Sequence, residues 1–132
     1  MPPANQALHE ILYCSKLAAG ISPTVVGTIV AHARARNAQR GVTGLLVFDG
    51  YRFCHHFEGP RDATVRLMDR ISDDPRHSDI RVVYEGPLVE RRYPRFDMGL
   101  VDPEADFPDL DRLDGNEALA RFLQLRPGYD VS

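Results

Sequence analysis

Hydrophobic spacing along the chain switches several times between strand and helix periods. HEILYCSKL (residues 9–17) is a strand-length apolar run. From Ser22 the period lengthens. Val26, Ile29, Val30 and Ala33 recur at helical spacing, and Asn37 falls on the same line four residues further on. Ser22 as N-cap and Pro23 at the first helical position predict the start of this helix, and Gly41 predicts its stop after about Gln39. TGLLVF (43–48) and YRFCHHFE (51–58) then flank Asp49-Gly50, a strong short-range hairpin signal. Gly59-Pro60 starts a second helix, with Asp62 in its first turn and Val65, Met68 and Ile71 or Ser72 along one side. It ends near Asp74-Pro75. IRVVYEGPLV (80–89) and RFDMGLV (95–101) read as two more strands, and Asp114-Gly115-Asn116 opens a last helix, EALARFLQL.

The resulting order, β-α-β-β-α-β-β plus a C-terminal helix, predicts an α+β fold: a ferredoxin-like sandwich whose mixed sheet carries two helices on one face. Residues 1–101 form the expected domain. The remainder, 102–132, is an acidic connector with two prolines followed by a helix.

A two-residue Asp49-Gly50 loop would set Phe48 opposite Tyr51, Leu46 opposite Phe53 and Gly44 opposite His55. One face then carries Phe48, Leu46, Gly44, Phe53, His55 and Phe57, and should lie under the helices, with room beside His55 because Gly44 has no side chain. The other face shows Leu45, Val47 and Cys54 with Arg52 and His56. That surface is too apolar to face water throughout, so the C-terminal helix (Ala118, Leu119, Phe122, Leu123), a second subunit, or both should cover it. His55 and His56 point to opposite faces, so they cannot grip one metal ion.

Composition narrows the classes without choosing among them. The 132 residues are 43% hydrophobic and 27% charged, enough for one domain with a real core. A net charge of −3 gives no argument for nucleic acid or an anionic membrane as partner. No apolar run is long enough to span a bilayer, and MPPANQALHE has neither the basic nor the apolar region of a secretion signal. Two cysteines, Cys14 and Cys54, make no disulfide framework or metal cluster and read as small packing residues of a reduced, cytoplasmic protein.

Taken in order, ILYCS, ARARNAQRGVTGLLVFDGYRF, FEGP, DDPRHSDIRV and RRYPRFDMG resemble the BLUF domain, a flavin-binding module that senses blue light. The resemblance runs from about Leu8 to Val101. It implies a flavin, FAD or alternatively FMN, held noncovalently between the two helices. It also implies roles for individual residues. Tyr13 matches the family's photoactive tyrosine. Asn37 matches the asparagine that bonds the flavin ring edge. Arg76 and His77 match the pair near the ribityl and phosphate end. Phe96, Asp97, Met98 and Gly99 match W-x-M-G, with the methionine kept and the tryptophan replaced. His55 stands where the family has its essential glutamine, in F-x-Q-x-L-E-G.

That substitution bears on function. The resemblance implies that light moves an electron and a proton from the tyrosine to the flavin, after which the glutamine rearranges its hydrogen bonds to the ring. A primary amide suits this because it has two donors and one acceptor oxygen that can exchange places. A neutral imidazole has one donor and one acceptor at fixed ring positions. The expected function is therefore a short stand-alone blue-light receptor, not an enzyme, whose photocycle His55 alters or abolishes. It would act as a homo-oligomer and through a separate signalling protein. The alternative is a flavin-free BLUF-like interaction module whose pocket is filled by side chains. No phosphate-cradling glycine loop follows the first strand, which argues against an acylphosphatase-like enzyme.

Overall fold

A computed structural model describes residues 7–100, 113–125 and 130–131, with the backbone alone for 97–100, 125 and 130–131. The elements run β1 (Leu8–Leu17), α1 (Val25–Gln39), β2 (Thr43–Phe48), β3 (Arg52–Pro60), α2 (Arg61–Asp73), β4 (His77–Pro87), β5 (Phe96–Leu100), α3 (Gly115–Leu125) and β6 (Asp130–Val131). One mixed sheet has the order β4-β1-β3-β2-β5-β6. All neighbouring pairs are antiparallel except β2–β5. The ferredoxin-like α+β arrangement expected from the sequence is present, lengthened by the short strand β6.

Local chemistry explains the joints. Ser22 and Pro23 form a tight turn ahead of α1, in which the Val25 and Val26 amides donate to the Ser22 and Pro23 carbonyls. The regular helix therefore begins three residues beyond the expected N-cap. Its end is a Schellman cap: the Gly41 amide donates to Ala38, the Val42 amide donates to Asn37, and Gly41 has φ +70°. An L side chain at that φ would be strained.

The hairpin register differs from the sequence expectation. Asp49 takes Arg52 as its partner across the turn, and its carboxylate accepts from the Tyr51 and Arg52 amides at 2.9 and 2.6 Å. The two loop residues are thus Gly50 and Tyr51, with φ +98° at Gly50. Every pairing moves by two: Phe48 faces Phe53, Leu46 faces His55 and Gly44 faces Phe57. An even shift leaves each side chain on its expected face but changes its neighbour. Gly44 accordingly does not make room for His55. Its role is close backbone approach, because a Cβ there would press on the His56 carbonyl and sit 2.7 Å from the Phe57 Cα.

The helix-side face packs in two parts. Leu17, Leu46, Phe48, Phe53 and Phe96 lie with Val26 and Val30 of α1, while Ile11, Tyr13, Val42 and Phe57 lie with Met68 of α2. Thr64, Leu67 and Ile71 complete the inner side of α2, and Val65, expected there, is exposed. On the other face Leu12, Cys14, Leu45, Val47, Cys54, Val83 and Tyr93 pack with Ala118 and Phe122 of α3. Full burial of a residue such as Phe122 stabilises by roughly 1.5–3 kcal/mol, enough to matter for an 11-residue helix that would not hold alone.

Candidate functional site

Tyr13 and His55 are direct partners on β1 and β3, adjacent strands that both lie inside the sheet. Both point toward the helices and are 5% exposed. The Tyr13 hydroxyl and His55 Nδ1 are hydrogen-bonded at 3.2 Å. Aromatic rings fix the imidazole from two more sides, with Phe57 at 4.8 Å and Phe96 at 5.5 Å between ring centroids. The opening of strand β3, FCHHF, thus puts a histidine in a cage of rings that would suit any flat apolar side chain.

Burial dominates the electrostatics of the pair. It pushes the His55 pKa down to about 3, helped by His56 and His77 nearby, so the ring is neutral at neutral pH. It also raises the Tyr13 pKa, so the phenol keeps its proton. A neutral imidazole carries one hydrogen. With that hydrogen on Nε2, Nδ1 accepts from Tyr13; with it on Nδ1, Nδ1 donates to the phenol oxygen. In either tautomer Nε2 is buried and has no partner.

One other buried side-chain atom among the described residues lacks a partner, and it is Nδ2 of Asn37. Asn37 is 2% exposed on the inner line of α1, three turns beyond Val26. Leaving a buried polar group unpaired costs roughly 1–3 kcal/mol. Two such groups, one on α1 and one on the sheet face beneath the helices, are what a missing polar ligand would leave behind, although neither lines the cleft between the helices. The helix itself agrees: of its 15 residues only Val26, Val30 and Asn37 are buried.

A narrow cleft of about 70 Å³ runs between the helices, lined by Tyr13, Ile29, Leu46, Phe53, Ile71, Asp74, Arg76 and His77. His77 lies at its floor. Its Nδ1 is 3.0 Å from Ser15 Oγ, and its Nε2 donates to the Ile71 carbonyl, which leaves Nδ1 to accept from the serine. Arg76 lies at the rim in a fork with Asp74, at 2.7 to 3.1 Å. That pairing lowers the Asp74 pKa and raises that of Arg76. The structure therefore brings Tyr13, His55, His77 and Phe96 together and sets Arg76 at the entrance. Met98 pairs with Leu46 in the ladder, and its side chain lies outside the described residues.

A family model for sensors of blue-light using FAD, BLUF, matches residues 8–99. The chain belongs to the BLUF family. BlrB, a BLUF protein solved in its dark state, is 32% identical with a TM-score of 0.77, covering 94% of this chain and 98% of its own. The photoactivated adenylate cyclase subunit beta of Euglena gracilis is 40% identical over 90 residues, which are 68% of this chain and 10% of that protein. The blue light- and temperature-regulated antirepressor BluF of Escherichia coli is 30% identical over 95 residues, 72% of this chain and 24% of that one. This chain thus spans about a tenth of the cyclase subunits it matches.

BLUF membership makes the flavin the natural claimant for the two unpaired atoms. A flavin edge carries carbonyl oxygens and ring nitrogens, which meet an amide N–H and an imidazole nitrogen of either sense. The donor set fits. The cleft does not yet: about 70 Å³ is well below the roughly 300 Å³ at which small-molecule sites begin.

Sequence reading missed two groups around the site. Ser15, two residues after Tyr13 on the same face, orients His77. Alternation along β1 would have found it. On the far face His56 is fully buried between Glu10 at 2.8 Å and Tyr93 at 2.6 Å, with Arg92 closing on Glu10 and its amide on Glu58. Among the described residues no group of three or more His, Cys, Asp or Glu is placed to hold a metal, and no helix is long and apolar enough to cross a membrane.

Proposed function

We propose that this BLUF chain holds FAD between α1 and α2 and that His55 gives it a light response unlike that of glutamine-bearing members. The observation that carries the reading is the buried His55, bonded to Tyr13 through one nitrogen and unpaired at the other. Asn37 Nδ2 would bond the ring from α1, and Arg76 and His77 would meet the ribityl and phosphate end. Met98 and Phe96 would border the ring from β5. FMN would satisfy the same ring contacts.

Flavin, when bound, supplies the absorption of blue light and an excited state that accepts an electron. The chain supplies the rest. Tyr13 keeps its proton in the dark because burial disfavours the phenolate. His55 holds that hydroxyl in one direction. The rings of Phe57 and Phe96 keep the imidazole from turning over, so its donor and acceptor positions stay put. A glutamine amide in the same place could exchange donor and acceptor by rotation; this imidazole cannot. The family's reversible red shift under blue light should therefore be absent or changed in form, while quenching of the excited state by Tyr13 persists.

The test is light-minus-dark absorption of the flavin-loaded protein beside His55→Gln. The expected result is a red shift that appears, or becomes reversible, only in the variant. A full reversible shift in the wild type, unchanged in His55→Gln, would falsify the assignment to His55.

The narrow cleft supports a second reading, a flavin-free interaction module whose interlayer space is closed by side chains. Protein that remains colourless after incubation with FAD, FMN and riboflavin would establish that reading and end the first. In either reading the module is a sensor or docking unit that works with a downstream effector. A homo-oligomer has less support, because α3 covers the apolar face that suggested one. Sedimentation as a monomer at micromolar concentration would dispose of it.

A further inference from the structure

Behind the Tyr13–His55 pair, on the other face of the same two strands, Cys14 and Cys54 are ladder partners. Their sulfurs are 3.3 Å apart, both are buried, and no disulfide joins them. A disulfide needs Cα atoms about 4.4–6.8 Å apart, and directly opposed residues of an antiparallel pair lie at about 4.5 or 5.5 Å. The backbone is therefore already in place. Only a small rotation of the side chains separates the contact from a bond.

We propose that Cys14 and Cys54 are a redox modification site, closing to a reversible intrachain disulfide when the protein meets a hydroperoxide. The two sulfurs are not equivalent. Cys14 is 8% exposed and Cys54 is not exposed at all. Cys14, the less completely buried of the two, is assigned as the sulfur that meets the oxidant. Its thiolate attacks one peroxide oxygen, the O–O bond breaks, and the products are a sulfenic acid on Cys14 and one water or alcohol. Cys54 then attacks the Cys14 sulfur, the S–S bond forms, and the hydroxyl leaves as water with the thiol's proton. The two electrons lost by the pair of thiols are those gained by the peroxide. A dithiol reductant reverses the step by exchange. Helix α3, whose Ala118 and Phe122 pack in the same cluster, sets how easily the oxidant arrives.

Position gives the bond a consequence. Cys14–Cys54 and Tyr13–His55 are adjacent rungs of one ladder, facing opposite ways. Tying the strands at one rung restrains the next, so the state of the thiols should be felt at the Tyr13–His55 hydrogen bond. This proposal does not depend on flavin binding.

The experiment treats the reduced full chain with hydrogen peroxide, unfolds and alkylates it, and measures intact mass and non-reducing peptide maps. The expected result is joint loss of both thiols, a mass lower by two hydrogens, a peptide joining residues 14 and 54, and full recovery with dithiothreitol. Cys54→Ala should instead stop at a Cys14 sulfenic acid that dimedone traps. Cys14→Ala should leave Cys54 reduced over the same interval. Ring-proton resonances of His55 should shift on oxidation in the wild type and not in Cys54→Ala. Two thiols still open to alkylation, or loss only through chain-to-chain bonds or sulfonic acid, would overturn the site. Unmoved His55 resonances in a chain with the bond formed would overturn its link to the opposite face.

Discussion

Lowering the pH should unload stability through His55 in a window set by its burial. The ring has a folded pKa of about 3 against an ordinary 6.5. Desolvation is the main cause, and the neighbouring His56 and His77 add to it. Because the folded value lies below the unfolded one, the unfolded chain takes up the proton first. The contribution is complete above about pH 6.5 and is lost as pH falls toward 3. One pKa unit is worth about 1.36 kcal/mol, so the full loss is on the order of 5 kcal/mol. About 2 kcal/mol of it falls between pH 7 and pH 5. That is a sizeable part of a domain's usual 5–15 kcal/mol.

Urea unfolding at pH 7, 6, 5 and 4 measures this directly. The low-pKa carboxylates Glu10 and Asp74 titrate too, so the quantity to read is the difference between wild type and His55→Gln. Glutamine fills a similar volume and does not ionise. Wild type should lose about 2 kcal/mol more than the variant between pH 7 and 5, with equal slopes in urea. Parallel stability curves for the two proteins would mean that His55 is solvated or paired when protonated, and the account of a dry imidazole would be wrong. Flavin-free protein is suited to this measurement, because ligand binding would otherwise add its own stabilisation.

Two further outcomes follow from single groups. Asn37→Ala removes a buried donor that lacks a partner in the protein, so it should leave folding stability nearly unchanged or raised while weakening flavin binding by about 1–3 kcal/mol in an equilibrium titration; equal affinity in both proteins would remove Asn37 from the site. Gly44→Ala should lower stability by about 1–3 kcal/mol in urea, because its Cβ meets the backbone of His56 and Phe57; an unchanged midpoint would show that the strands can give.

Much of the fold was legible because its signals are local and repeated. TGLLVF became β2 with its expected ends, and the stop at Gly41 is a cap the residue type alone announces. Register was another matter. Asp49-Gly50 marks a hairpin, but whether Asp49 sits in the loop or closes it depends on its carboxylate. Here that carboxylate binds the Tyr51 and Arg52 amides and the Arg52 side chain, and the Asp49 amide donates to the Arg52 carbonyl, so Asp49 closes the turn instead of sitting in it. Similarly, Val65 fits an apolar line drawn through Met68, yet Thr64 and Leu67 lie nearer the sheet once the helix is docked. Helical spacing gives a stripe about a hundred degrees wide, and only packing chooses its centre.

The site divides along the same line. Alternation alone put His55 on the helix face and His56 on the other, and that assignment needs no partner to be known. What each histidine does there depends on residues far away in sequence. His55 meets Tyr13 from β1 and Phe96 from β5, while His56 meets Glu10 and Tyr93. A histidine between carboxylate and phenol has both nitrogens met and is part of the scaffold. A histidine with one nitrogen met and one idle, in a dry place, is waiting for a third group. The sequence holds HH and cannot distinguish them. Counting hydrogen-bond partners does, and it singles out the residue that the BLUF resemblance sets in the place of a glutamine. The resemblance points to position 55 and the missing partner points to Nε2, and on the proposed function that atom is where His55 would meet the flavin.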